Sequence, residues 1–341
     1  MSLIQRAKTV IEHYPVPDVI TRAGIHYLVR KTKTALAHRP DGASKLFAEE
    51  MAALPIALET DKANEQHYEI PAGFFNLCLG ARRKYSCCFY ENADTTLDEA
   101  EEAALALTSE HADIQDGQSI LELGCGWGSL TLWMAEKYPA CNITAVSNSA
   151  SQRDYIMEQA KAKGFDTIEV ITADMNHFAT DGRYDRIVSV EMFEHIANWR
   201  NLLSKATRWL KPEGKIFIHV FSHKAAPYRF NHLDKSDWIA QHFFSGGIMP
   251  SHDLMHQFPD LVEMEDEWRW SGDHYEKTAR DWLVNFDRNQ KEIDPILEAV
   301  YGDDAALWKR RWRLFFLATA GLFGHDGGGE WGVSHYRLRA A

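Results

Sequence analysis

Five consecutive residues, Glu191-Met192-Phe193-Glu194-His195, place two carboxylates and an imidazole within about one turn of chain. Such a group is equipped for proton removal, and two neighbouring carboxylates also hold a cation before it is deprotonated. The run follows Arg186 to Val190, an apolar stretch after Tyr184-Asp185 that reads as a strand, so all three side chains fall at a strand's carboxyl end. A helix start with solvated acids and a capping histidine shares this pattern. A second stretch, Ile120-Leu-Glu-Leu-Gly-Cys-Gly-Trp-Gly128, reads as a buried strand followed by a tight turn. Gly124, Gly126 and Gly128 let backbone approach a ligand without Cβ obstruction. The helix expected over Ser129 to Tyr138 completes a strand-loop-helix unit suited to a nucleotide-like cofactor.

Two details argue against a dinucleotide. The fingerprint G-x-G-x-x-G would need a third glycine where Ser129 stands, and the next strand, Asn142 to Val146, ends in Ser147-Asn148 with no acid for a ribose diol. A G-x-G-x-G loop after the acidic strand end at Glu122 resembles instead the first motif of class I S-adenosylmethionine-dependent methyltransferases. That cofactor carries no phosphate, so the loop needs close approach rather than an anion cradle.

The elements that must position these residues alternate. After Asn142 to Val146 come a helix from Ser149 to Lys163 ended by Gly164, and a strand from Ile168 to Thr172 closing on Ala173-Asp174-Met175. Then follow the Arg186 strand, a turn at Lys211-Pro212-Glu213-Gly214 and a fifth strand from Lys215 to Phe221. Such alternation implies a doubly wound parallel α/β sheet whose ligands lie at the carboxyl strand ends. Residues 1–104 read as helices (Leu3 to His13, Val19 to Leu36, Gly42 to Leu54) forming an N-terminal cap. Residues 105–341 are expected to form the cofactor-binding domain. A long connection over about 224–261 precedes a sixth strand near Val262 to Trp270 and is expected to cap the substrate side.

A formal net charge of −12 disfavours nucleic acid, which needs a basic face. The densest basic cluster, Lys309, Arg310, Arg311 and Arg313, reads as a solvated helix face. Leu314 to Phe323 is too short to span a bilayer and reads as a buried helix, so no stable membrane anchor is expected. Cys78, Cys87, Cys88, Cys125 and Cys141 are few and odd in number, which points to reduced thiols and a cytoplasmic location. His252 and His256 stand four apart but lack a zincin's glutamate, and no metal site is expected.

One motif series runs through most of the chain: His67-Tyr68, Lys84-Tyr85-Ser86-Cys87-Cys88, the glycine loop, Glu191 to His195, Gly246-Gly247 with Pro250-Ser251, and His274-Tyr275. It resembles the cyclopropane fatty acid synthase superfamily, and within it the benzylisoquinoline N-methyltransferase branch. The resemblance spans about residue 60 to the C-terminus. It implies a class I, Rossmann-like methyltransferase sheet with an N-terminal helical cap and an insertion after the fifth strand. The implied cofactor is S-adenosyl-L-methionine, held by Tyr85, Ser86, Gly124, Gly126, Asn148, Gln152, Asp174 and Met175. The implied reaction is base-assisted methyl transfer to a small hydrophobic, tetrahydroisoquinoline-like amine, with Glu194 and His195 as principal bases and Glu191 orienting or binding the ammonium.

The same resemblance carries a second reading. A cyclopropane synthase methylates an alkene in an unsaturated phospholipid and uses a bound bicarbonate as base; the matching positions here are Cys87, Glu194, His219 and Tyr275. Glu191 favours the amine, because a second carboxylate suits a cation better than a neutral alkene. A catalytically silent cofactor-binding protein is the third reading. Trp268, Trp270, Trp282, Trp308 and Trp312 read mostly as core, and oligomeric state is left open, a homodimer included.

Overall fold

Runs of apolar residues long enough to be buried on both faces form the strands, and the capped, amphipathic stretches between them form the covering helices. The computed structural model describes residues 9–58, 70–234 and 237–341. Ahead of the sheet stand α1 (Asp18–Leu36), α2 (Ala43–Met51), α3 (Ala72–Cys78) and α4 (Leu97–His111). Then come β1 (Ser119–Leu123), α5 (Ser129–Lys137), β2 (Asn142–Ser147), α6 (Ala150–Lys163), β3 (Ile168–Thr172), β4 (Tyr184–Val190), α7 (Trp199–Trp209) and β5 (Leu210–His223). The stretch after β5 carries β6 (Tyr228–Arg229), α8 (Trp238–His242) and β7 (Ile248–Met249). The chain continues through β8 (Val262–Ser271), α9 (Gly272–Arg288), α10 (Gln290–Tyr301), α11 (Ala305–Phe323) and β9 (Trp331–Ala340).

A seven-stranded sheet has the order β3-β2-β1-β4-β5-β9-β8. The first five strands are parallel, as the alternating pattern requires. The parallel α/β sheet is thus as expected, and to it the structure adds β9, which inserts antiparallel between β5 and β8. Its side chains are largely buried on both faces, so Trp331 to Ala340 lacks the polar-apolar alternation that marks a half-exposed strand. Lys211 to Gly214 leave the ladder as expected: the register steps from Tyr184↔Leu210 to Arg186↔Lys215.

Alternate residues along each strand feed opposite cores. Ile120 and Phe217 face one apolar layer with Leu105, Leu130 and Ile156. Leu121, Ile216 and Ile218 face the other with Phe47, Met51, Trp199 and Leu202. A third core, rich in aromatic rings, lies in the cap, where Phe74, Phe75, Trp282, Phe286, Trp312 and Phe316 meet. The capping box at Thr96, in which Thr96 Oγ1 accepts from the Glu99 N–H and Glu99 Oε2 accepts from the Thr96 N–H, starts α4. This helix runs across the boundary expected at residue 104: Ala100 and Ala104 pack in the cap and Leu105 against the sheet.

The basic cluster on α11 also differs from expectation. Lys309 pairs with Asp294, Arg311 with Glu12, and Arg313 with both Asp18 and Asp287, while Arg310 donates to the Glu12 carbonyl. Arg310, Arg311 and Arg313 thus pin the N-terminal segment to the cap instead of forming a solvated face. Among the N-terminal helices, residues 9–13 are helical and the start of the stretch from Leu3 lies outside the described residues, as does His67-Tyr68.

Candidate active site

At the carboxyl ends of the parallel strands lies a cleft enclosing about 1560 Å³, part of it open to solvent. The glycine loop forms its floor. Gly124 and Gly128 have φ of +80° and +78°, and a Cβ at either would lie 2.5 Å from Met192 Cγ or 2.6 Å from Ile156 Cγ1. At Gly126, φ +52°, a Cβ would meet nothing within 4 Å. The outer two glycines therefore serve packing, and the middle one leaves the space open.

All eight residues expected to hold the cofactor, Tyr85, Ser86, Gly124, Gly126, Asn148, Gln152, Asp174 and Met175, line this one cleft. The Ser147 hydroxyl donates to Gln152 Oε1 at 2.6 Å, which leaves the Gln152 amide nitrogen buried and without a partner in the cleft wall. Trp127 Nε1 and Ser129 Oγ are likewise buried and unpartnered in the cleft wall. Three orphaned polar groups around an open, glycine-floored space fit a ligand with its own hydrogen-bonding groups, because such atoms are costly when left unpaired. Asp174 Oδ1 accepts from the Asn176 N–H at 2.7 Å, which fixes its carboxylate at the cleft edge.

Glu122 also faces the cleft. It was recognisable as an acidic strand end but not as a cofactor-side group. Thr131 Oγ1 donates to its Oε2 at 2.6 Å, and burial pushes its carboxyl up to about 8 against that hydrogen bond. Glu101 is a second carboxylate beyond the sequence reading. Fully buried on α4, it accepts the backbone N–H groups of Gly80, Arg82 and Lys84 at 3.0, 2.6 and 3.0 Å. It thus shapes the loop that carries Tyr85 and Ser86. A charge on the same helical face as Ala104 and Leu105 was the available signal. Lys84, buried beside it, donates to Ser86 Oγ and to the Cys87 carbonyl, both at 2.6 Å.

The acid-acid-histidine run forms the opposite wall. Glu191 sits at φ +47°, a left-handed backbone unusual for a side-chain-bearing residue. Its Oε1 accepts from the Cys87 N–H at 2.8 Å and lies 3.3 Å from His219 Nε2; its Oε2 accepts from the Tyr275 hydroxyl at 2.6 Å. Three of the four positions that the alkene reading assigns to bicarbonate, Cys87, His219 and Tyr275, therefore converge on the carboxylate of Glu191. Cys87 contributes its backbone N–H, and burial pushes its thiol well up.

Glu194 is fully buried and its Oε1 accepts only one long bond, from the Phe221 N–H at 3.5 Å, while Oε2 has no partner. Burial and the neighbouring Glu191 push its carboxyl well up. Burial raises Glu191 too, opposed by Lys84, the Cys87 N–H and Tyr275. With more donors, Glu191 is the better held as a carboxylate, and of the two Glu194 is the first to take up a proton. His195 lies flat on Phe244, ring centroids 4.8 Å apart, and lines the same cleft. Phe221, Phe244, Phe315, Tyr275 and Trp282 supply aromatic walls from β5, the 224–261 stretch, α9 and α11. Among the described residues no cluster of metal-ligating side chains occurs; His252 bonds Ser334 and His256 pairs with Glu267.

The mycolic acid cyclopropane synthetase family model matches residues 58–326. The chain is 38% identical to the (S)-coclaurine N-methyltransferase of Thalictrum flavum subsp. glaucum, over 83% of this chain and 80% of that protein. It is 34% identical to the pavine N-methyltransferase of the same plant over 95% and 93%. A solved structure of a coclaurine N-methyltransferase, bound to N-methylheliamine and SAH, superposes with a TM-score of 0.91 at 33% identity, covering 99% of this chain and 98% of that one. With its class I sheet, glycine-floored cleft and open polar cradle, the chain belongs to the mycolic acid cyclopropane synthetase family and is an S-adenosylmethionine-dependent methyltransferase.

Proposed function

We propose that this enzyme methylates the nitrogen of a small hydrophobic cyclic amine, of the tetrahydroisoquinoline kind. One observation carries the reading: the Glu191 carboxylate occupies the Cys87, His219 and Tyr275 donors, and the Glu194 Oε2 beside it is unpartnered in an aromatic-walled cleft. Those donors are then committed to a side chain and are not open to a bicarbonate. Two carboxylates facing apolar rings suit a ligand that is both cationic and hydrophobic. The similarity to coclaurine and pavine N-methyltransferases supports the same reading.

The bound cofactor supplies a methyl group on a sulfonium, open to in-line attack by a lone pair. The chain's own residues make that lone pair available. Glu191, charged and fixed by its donors, holds the incoming ammonium; the ammonium's charge draws Glu194 into its ionised form; Glu194 or His195 then removes the N–H proton. Phe221, Phe244 and Phe315 exclude water, which lowers the amine's basicity and favours the neutral nucleophile. Gln152, Asn148 and Asp174 orient the cofactor from the strand ends, with Tyr85 and Ser86 closing from the cap. All five cysteines are buried free thiols, which supports a reducing compartment, the cytosol.

The test offers methyl-labelled cofactor with a panel of tetrahydroisoquinolines and, separately, unsaturated phospholipid vesicles. Label on nitrogen is expected. Label as a methylene across an acyl double bond overturns the reading, and no label on any acceptor favours a silent binding protein.

A further inference from the structure

Behind Glu191, on the side away from the cleft, stands a row of imidazoles. The register of adjacent strands pairs His219 of β5 with His335 of β9, and His335 with Trp268 of β8, so the three side chains share one face of the sheet. His219 Nε2 lies 3.3 Å from Glu191 Oε1, His219 Nδ1 lies 2.8 Å from His335 Nε2, and His335 Nδ1 lies 2.8 Å from His111 Nδ1. His111, in the last turn of α4, stacks flat on Trp268 with centroids 3.9 Å apart. His219 and His335 are fully buried and His111 is 9% exposed. Phe217 and Trp270 wall the row.

An ionised carboxylate only accepts hydrogen bonds, so it dictates every proton behind it. His219 must donate from Nε2 and, being neutral, accept at Nδ1. His335 must then donate from Nε2 and accept at Nδ1, and His111 must donate from Nδ1. Burial favours the neutral form of both inner rings. We propose that His111, His335 and His219 are positioning residues that hold Glu191 as a carboxylate from behind, by locking one direction of imidazole tautomers across two strands and a helix. The proposal rests on the amine reading for the use of that charge. The other groups facing Glu191 are Lys84, Cys87 and Tyr275, with Glu194 opposing its charge; those around the outer ring are Glu110, Arg337 and Asp266. Without His335, His219 is free to carry its proton on Nδ1 and turn a lone pair toward Oε1, which drives Glu191 to take up a proton.

The test compares wild type, His335→Phe and, at the more accessible end, His111→Ala. For His335→Phe the acid limb of the kcat/KM profile should rise by about one pH unit, a loss that approaches tenfold on the acid side of the limb and closes on its alkaline side. His111→Ala should move the limb the same way by less, and it decides the matter if the buried variant does not fold. Infrared difference spectra, with the Glu191 band assigned through Glu191→Gln, should show the carboxylate band giving way to a protonated carboxyl at higher pH in the variants than in wild type. An equal loss at every pH, or an unmoved Glu191 band, overturns the proposal. Because the infrared readout needs no acceptor, a wild type that labels no amine defeats the amine reading alone.

Discussion

Glu122 offers a sharp test of how burial governs this site. Burial pushes its carboxyl up to about 8, against an ordinary 4.5 in the unfolded chain. The fold therefore favours the protonated form: the associated stability is complete below about pH 4.5 and is lost as pH rises through about 8. A gap of about three and a half pH units, at about 1.4 kcal/mol each, corresponds to about 4–5 kcal/mol above pH 9 and to under about 1 kcal/mol at pH 5. In Glu122→Gln the amide oxygen still accepts from Thr131 and nothing ionises. Urea unfolding at pH 5, 7 and 9 should find the two proteins within about 1 kcal/mol at pH 5 and the variant ahead by about 4 kcal/mol at pH 9. A cationic ligand in the cleft favours ionised Glu122, so cofactor binding near pH 7 should release a proton, seen as a heat that varies with buffer ionisation enthalpy. The variant should lack that release. A gap between the two proteins that is the same at pH 5 and pH 9 refutes the reasoning, since it means that the carboxyl ionises as freely folded as unfolded.

Two further outcomes follow from the opposite wall. Glu194→Ala combined with His195→Ala should lower kcat by about 10²–10⁴ while cofactor affinity by calorimetry changes little, since both groups serve the acceptor; turnover intact at saturating amine would remove them as bases. Glu191→Gly leaves three donors around a carboxylate-sized space and relieves a left-handed backbone worth about 1–2 kcal/mol, so the variant should fold and lose most activity. Formate or bicarbonate at millimolar concentration should restore part of it, and a flat response to both would mean that the donors do not form an anion site on their own.

Much of this was legible because it is local in the chain. Strand, glycine loop and helix are consecutive from Ser119 to Lys137, and Ile168–Thr172 is bounded as the pattern predicts. Six of the eight cofactor-side positions follow β1, β2 and β3 and come to one cleft because handed crossovers bring parallel strand ends to a common edge, while Tyr85 and Ser86 join them from the cap. β9 escaped notice because a strand buried on both faces has no period of two, and Arg311 and Arg313 looked solvated because Glu12 and Asp18, which pair with them, lie some 300 residues away in sequence.

The residue types that perform the chemistry, and the strand ends on which they stand, are properties of the sequence, since a short-range pattern of apolar runs, glycines and acids is enough to define a parallel α/β unit. Tertiary structure alone decided what those residues do to one another. That Cys87, His219 and Tyr275 turn to Glu191, that Glu194 is left without a partner for one oxygen, and that His335 from the last strand stands between His219 and His111 all depend on strand registers and on loop and helix contacts between residues 27 to 224 positions apart. Hydrogen bonds of 2.6 to 3.3 Å and the burial that shifts each proton arise only once those strands are paired, and no spacing along the chain encodes them.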